Sequence, residues 1–139
     1  MNADLTKSMT ISAAGMEAQT LRLRVIAENL ANQSTTGSAP GADPYRRKTI
    51  AFENQLDRAT GLETVKVKVK EIGTDKGELP QRYEPANPAA DAQGYVKLPN
   101  VDSFIEMMDM REAERSYNAN LAAMQASRSM LNRTIELLK

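Results

Sequence analysis

The sequence lacks the residues that most enzymes and metal sites depend on. Its 139 residues include no Cys, no His and no Trp. Without Cys, disulfides, thiolate catalysis and cysteine-based metal sites are excluded. Without His, the commonest acid–base residue and the commonest metal ligand are missing. There is also no Gly-rich phosphate loop and no nucleophile–base pair. We therefore expect no catalytic residues, no cofactor-binding residues and no metal, and the protein is not predicted to be an enzyme.

Aromatic residues and long apolar runs are scarce as well. Aromatic residues make up 4% of the chain and hydrophobic residues 41%, with eight Met. This composition argues against a large conventional core, and flexible Met side chains suit surfaces that meet several partners. No apolar run approaches the roughly 20 residues that cross a bilayer. We expect no membrane insertion and, from the character of the N-terminus, no cleaved secretory signal.

Charge is balanced rather than biased. Eighteen basic and eighteen acidic residues give a formal net charge of zero, which disfavours a nucleic-acid partner. Two local basic groups stand out, the triplet 46–48 and the lysines that alternate along residues 66–70. Short charge runs are usually solvated faces, although contact with a partner stays open.

What the sequence does contain is a seven-residue repeat at both ends. Apolar side chains there recur at alternating steps of three and four, which places them along one seam of a helix that suits burial against another helix. We predict a subunit interface made of these residues: Leu5, Met9, Met16, Leu23, Ile26, Leu30, Met107, Met110, Tyr117, Leu121, Met124, Leu131, Ile135 and Leu138. Ser12, Gln19, Glu114 and Arg128 interrupt the two seams.

The middle of the chain has the composition of turns and short strands. Residues 33–60 are predicted to be an extended loop, and 61–100 a small β-hairpin unit. Within that unit residues 63–70 read E-T-V-K-V-K-V-K, and the alternation of Val and Lys predicts a half-buried strand, with 79–84 returning beside it. The fold class is therefore mostly α with a small β unit. Long helices at 1–32, with Asp4 as a candidate cap, and at 101–139, beginning near Asn100 or Asp102, would pack in a coiled-coil-like manner.

Several separated motifs resemble the bacterial flagellar rod and axial protein family. The first is the Asn-rich segment at the end of the first helix, and the others follow in the family's order. The residues that carry the resemblance are Asn29, Leu30, Ala31, Asn32, Tyr45, Arg46, Tyr83, Pro85, Gly94, Tyr95, Pro99 and Asn100.

The resemblance implies a structural subunit of the proximal rod, the drive shaft that transmits torque across the periplasm. It also implies type III export without a cleaved signal, and helical assembly with copies of the chain and with other rod proteins. The implied location is the periplasmic rod of the flagellar basal body. The implied partners include the export apparatus, while contacts with peptidoglycan or a ring stay open. The terminal helices would be loosely helical before assembly. A generic two-helix coiled-coil scaffold or adaptor is the alternative.

Overall fold

Two long helices and four strands make up the structure, a computed structural model that describes residues 2–57 and 64–137. Helix α1 spans Asn2–Ala31 and helix α2 spans Ser103–Glu136. The fold class predicted from the sequence, mostly α with a small β unit between terminal helices, is confirmed.

The ends of the helices follow their capping residues. Asp102 caps α2, because its Oδ1 accepts hydrogen bonds from the backbone N–H groups of Phe104 at 2.9 Å and Ile105 at 3.3 Å. Asp4 is not a cap, since α1 begins at Asn2 and Asp4 lies within its first turn. At the other end of α1, the Asn32 amide donates to the backbone carbonyl of Glu28 at 2.8 Å.

The strands form two separate two-stranded sheets. Strand β1 (Lys48–Asp57) pairs with β2 (Thr64–Thr74), and β3 (Gln81–Tyr83) pairs with β4 (Tyr95–Lys97). The second pair is antiparallel, with Arg82 opposite Val96.

The strands and the exposure of their side chains correct three predictions. Residues 33–60 are not loop throughout, because β1 occupies Lys48–Asp57. The strand predicted at 63–70 exists as β2, but its partner is β1 rather than 79–84. The alternation also failed in part, since Val65 is 55% exposed while Thr64 is buried. Residues 58–63 lie outside the described part of the chain, so the predicted beginning of the hairpin unit at 61 does too.

The chain divides into two compact units. Unit 1 comprises residues 1–23, 51–71 and 111–139, and unit 2 comprises residues 24–50 and 72–110.

In unit 1 the two helices run antiparallel and meet through small side chains. The Ser127 hydroxyl donates to Ser8 Oγ at 3.1 Å. Further along α1, Gly15 lies so close to Asn120 that a Cβ added to Gly15 would be 2.7 Å from Asn120 Nδ2. Ala18 and Ala113 are buried beside them, at 3% and 0% exposure. Only short side chains allow two backbones to approach this closely, so these residues permit the close contact of α1 with α2 in unit 1.

In unit 2 the pair β3–β4 is closed by an irregular turn. Gly94 has φ +85°, a left-handed conformation that glycine adopts without cost, and an added Cβ would lie 2.9 Å from Tyr83 Cε2. The rings of Tyr83 and Tyr95 pack edge to face with centroids 5.3 Å apart. The aromatic pair and the glycine therefore specify one turn shape together.

Candidate functional site

A buried polar cluster lies at the centre of unit 2, and Asn29 is its hub. The Asn29 side chain sits on α1 at 1% exposure. Its Oδ1 accepts hydrogen bonds from the Tyr45 hydroxyl and the Lys48 backbone N–H, both at 2.8 Å. Its Nδ2 donates to the Lys48 carbonyl at 2.9 Å and to Glu106 Oε2 at 3.1 Å. Every polar atom of the amide is satisfied, which a buried amide requires.

Glu106 brings a charge into the same cluster. This residue is on the first turn of α2 and is 0% exposed. The Arg47 Nε donates to Glu106 Oε1 at 2.5 Å, and Arg47 reaches Asp109 with a second nitrogen at 3.5 Å. A buried carboxylate is costly unless it is paired and hydrogen-bonded. The two donors, Arg47 and Asn29, supply that pairing.

The segment between Pro44 and β1 is fixed by further bonds to this cluster. Burial raises the pKa of the Tyr45 hydroxyl, so at neutral pH it remains a donor to Asn29. The backbone N–H of Arg47 donates to Asn100 Oδ1 at 2.8 Å, and the Arg47 carbonyl accepts from Asp75 N–H at 2.8 Å. Segments far apart in sequence are thereby held in one geometry, and the cluster's role is positional rather than catalytic.

Ion pairs continue along the surface of unit 2. Lys97 donates to Asp43 at 2.9 Å, and this bond together with the lysine charge lowers the pKa of the Asp43 carboxyl. Glu84 accepts from Asn87 at 3.0 Å and pairs with Arg82, and these contacts lower the pKa of Glu84. Within residues 2–57 and 64–137, no group of three or more acidic side chains is arranged to hold a metal ion.

Helix α2 exposes several large apolar side chains, while its buried positions are polar or small. Phe104 is 66% exposed and Met108 58%, on the helix whose buried positions are Glu106, Ala113 and Ser127. Nearer the end of α2, Met130 is 51% and Leu137 87% exposed. An ordinary surface helix shows the opposite pattern. Exposed apolar patches of this kind mark interaction sites, so we name the side chains of Phe104, Ile105, Met107 and Met108 the apolar face of α2.

The residues predicted as a subunit interface are mostly only half covered. Ile26 is buried at 4% exposure, whereas Met107 and Ile135 are exposed at 50% and 48%. Leu138 lies outside the described residues. The rest are half-buried: Leu5, Met9, Met16, Leu23, Leu30, Met110, Tyr117, Leu121, Met124 and Leu131. Whether they contact neighbouring subunits stays a prediction.

The family-motif residues divide between two places in unit 2. Asn29, Tyr45 and Asn100 meet in the polar cluster. A second group, Tyr83, Pro85, Gly94 and Tyr95, forms the β3–β4 turn. Arg46 donates to the Gly77 carbonyl at 3.1 Å. Pro99 is buried, Leu30 and Asn32 are half-buried, and Ala31 is exposed.

Sequence reasoning missed Arg47 and Glu106 as a pair. The triplet 46–48 was read as a solvated patch, which is wrong for Arg47 because it binds the buried Glu106. Lys48 of the same triplet is paired too, since it donates to Glu28 at 2.6 Å. The available signal was an acidic residue at the start of α2, but nothing in its local sequence indicates a partner 59 residues away.

Comparison with known proteins places this architecture in a family. A family model described as flagellar basal body rod FlgEFG protein C-terminal matches residues 92–137, the region of β4 and α2. A flagellar basal-body rod protein FlgC of Agrobacterium fabrum is 51% identical over 135 residues, covering 97% of this chain and 96% of its own.

More distant relatives give the same result. The FlgC proteins of Salmonella typhimurium and Bacillus subtilis are 44% and 34% identical, covering 91% and 95% of this chain and 92% and 97% of their own. Among the described residues, neither helix is long and apolar enough to cross a membrane. A rod is an assembly, so family membership implies that the chain joins other rod components. The chain belongs to the FlgC family of flagellar basal-body rod proteins, as a structural subunit of the bacterial flagellum and not an enzyme.

Proposed function

We propose that this subunit polymerises helically through α1 and α2, with copies of itself and other rod proteins, and thereby transmits torque along the proximal rod. The observation that carries the proposal is the set of large apolar side chains that α2 exposes. Its interior contacts use Glu106, Ala113 and Ser127, while Met130 and Ile135 face outward with about half of their surface exposed. Burying the exposed half of such a side chain against a neighbour is worth on the order of 1 kcal/mol.

Torque transmission requires that a subunit does not deform when its neighbours pull on it. The polar cluster supports this role, because Asn29 and Glu106 are fully buried and join the end of α1 to the start of α2 within unit 2. Directional hydrogen bonds fix one geometry, whereas apolar contacts alone allow sliding. The cluster would therefore keep the start of α2 in a fixed orientation under load.

The layout that goes with this function is also a proposal. Residues 1–32 and 101–139 would form the inner layer of the rod, with 33–60 and 61–100 outside it. Export through the flagellar apparatus would precede assembly. The contact of Ser8 with Ser127 shows how the helices pair within one chain once they are folded. Peptidoglycan or ring contacts would fall to exposed lysines such as Lys70.

Charged substitutions on the outer side of α2 test the proposal. Met130→Asp and Ile135→Asp should abolish swimming when the full chain is expressed in a strain that lacks its own copy, because both place a charge in a subunit interface. Asn132→Asp is the matched control, since Asn132 is exposed on a polar part of the same helix segment. The free energy of unfolding should change by less than about 0.5 kcal/mol in all three variants. Normal swimming and normal rods with both apolar substitutions would refute polymerisation through α2.

A further inference from the structure

Unit 1 contains a groove that the proposed function does not yet use. It lies between α1 and the β1–β2 pair and has a volume of about 310 Å³. Its apolar lining consists of Ala14, Ala18, Leu21, Val67 and Val69. Glu17, Gln55, Lys66 and Lys68 complete the lining, which makes an apolar floor with a polar rim. Grooves of this size and character accept one or two large apolar side chains.

Unit 2 presents the complementary shape. Phe104 and Met108 are four residues apart on α2, so they lie on the same side of the helix and project together. They are 66% and 58% exposed, the pattern of a ridge without a partner. Ile105 and Met107 flank them, at 51% and 50% exposure. A ridge with four large apolar side chains needs an apolar recess to leave water.

Charged side chains beside the ridge and the groove indicate which surface the ridge binds. Asp102 is exposed two residues before Phe104 and is the acidic residue at that end of the apolar face. The groove is lined by one acid, Glu17 on α1, and by two lysines on β2. Lys66 is already paired with Asp57, whereas Lys68 is exposed on the rim. Opposite charges at the ends of two apolar surfaces fix their register on contact and raise the association rate. The ridge with its acid therefore matches the groove with its lysine.

We infer that the apolar face of α2 docks into the groove of unit 1 on a second copy of this chain. The inference rests on the proposed polymerisation and names its contact surfaces. Ridge and groove are different surfaces of one chain, so each copy offers both. Such a contact is head-to-tail, and repeating it extends an open helical assembly rather than a closed pair. Lys68 of one copy would face Asp102 of the next.

Self-association of the purified full chain tests the surfaces directly. Phe104→Asp and Lys68→Glu should each weaken association at least about tenfold in sedimentation velocity, since a central anchor or a matched charge is lost. Lys70→Glu is the control, because Lys70 is exposed on the same strand but is not among the groove residues. Adding Asp102→Asn to Lys68→Glu should restore part of the affinity, since Asn still caps α2 and removes the repulsion. Equal effects of Lys68→Glu and Lys70→Glu would overturn the inference.

Cysteine cross-linking identifies the partner, and the cysteine-free sequence makes it specific. A mixture of Met108→Cys and Ala14→Cys chains should form a disulfide-linked heterodimer under mild oxidation. Met108→Cys mixed with Ser129→Cys should not, although Ser129 is exposed. Association without this cross-link would refute the docking mode and leave polymerisation intact. If the wild-type chain does not self-associate while swimming still requires Phe104, the partner is another rod protein and this inference fails. Failure of the proposed function would appear separately, as normal swimming of the strains that carry Met130→Asp and Ile135→Asp.

Discussion

Unit 1 and unit 2 join the same two helices by different means. In unit 1, α1 and α2 approach through Ser8, Gly15 and Ser127, and the contact depends on the absence of bulk. In unit 2, Asn29 and Glu106 connect the helices through hydrogen bonds that also bind Arg47. The first contact depends on how small the facing side chains are, whereas the second depends on directional hydrogen bonds to a buried charge. We infer that the hydrogen bonds of unit 2 set the orientation of the helices there, and that the small side chains of unit 1 set how closely the helices approach.

The largest expected effect is the loss of the buried carboxylate in unit 2. Glu106→Ala should lower the free energy of unfolding by about 3–5 kcal/mol, because Arg47 and Asn29 lose their acceptor in a buried place. Urea denaturation followed by circular dichroism measures the change. Glu112→Ala is the control, since its side chain is 67% exposed and lies 4.0 Å from Arg22, and it should cost less than about 1 kcal/mol. A loss below 1 kcal/mol for Glu106→Ala would show that the cluster does not hold unit 2 together.

Added bulk in unit 1 should come next. Gly15→Leu is expected to lower the unfolding free energy by up to about 3 kcal/mol, because even a Cβ would lie 2.7 Å from Asn120 Nδ2. Gly15→Ala should be nearly neutral, since the Asn120 amide can move and Ala is the better helix former. Combining Gly15→Leu with Asn120→Ala should recover part of the loss in the same urea experiment. Equal stability of Gly15→Leu and the wild-type chain would mean that the helices are not in close contact there.

Substitutions at two glycines of unit 2 distinguish the cost of backbone strain from the cost of a steric clash. Gly94→Ala should cost about 2 kcal/mol, because its φ of +85° is unfavourable for Ala and the new Cβ meets Tyr83 at 2.9 Å. Gly41→Ala should cost only about 1 kcal/mol, since Gly41 has φ +72° but nothing lies within 4 Å of an added Cβ. Thermal or urea unfolding compares the two. If they cost the same, the Tyr83 contact does not contribute.

The smallest effect concerns a polar atom that unit 1 leaves unpaired. Among the residues that the structure describes, nothing hydrogen-bonds to the buried Oε1 of Gln19. Gln19→Met should therefore raise the free energy of unfolding, by about 1 kcal/mol, because the apolar side chain removes the desolvation cost. Asn29→Leu is the contrast in unit 2, where the amide is fully bonded, and it should destabilise. A destabilising Gln19→Met would indicate that the oxygen has a partner.

The sequence predicted the two helices, β2 and the family well, and the pairings poorly. Heptad spacing at both ends and the Val–Lys alternation are local signals, so they survive without knowledge of the fold. Glu114 and Arg128, which interrupt the predicted seam, do reach solvent. The misplaced element was β1, because residues 48–57 show no clean alternation and pair with a strand that comes later.

The polar cluster could not be predicted for a related reason. The heptad seam placed Met107 inside the helix contact, but Glu106 is the buried neighbour and Met107 is half exposed. A carboxylate becomes a core residue only when a distant arginine pairs with it, and Arg47 looked like part of a surface run. Burial of a charge is set by tertiary pairing, which one sequence does not display.

The proposed assembly of the rod depends most on contact between the terminal helices of neighbouring copies. A cryo-EM map of basal bodies built with this chain measures it directly. We expect the outward side chains of α2, among them Phe104, Met108 and Ile135, to be buried against adjacent subunits, with the Asn29–Glu106–Arg47 bonds unchanged. A map in which these side chains face solvent, and only the β strands touch a neighbour, would contradict the account.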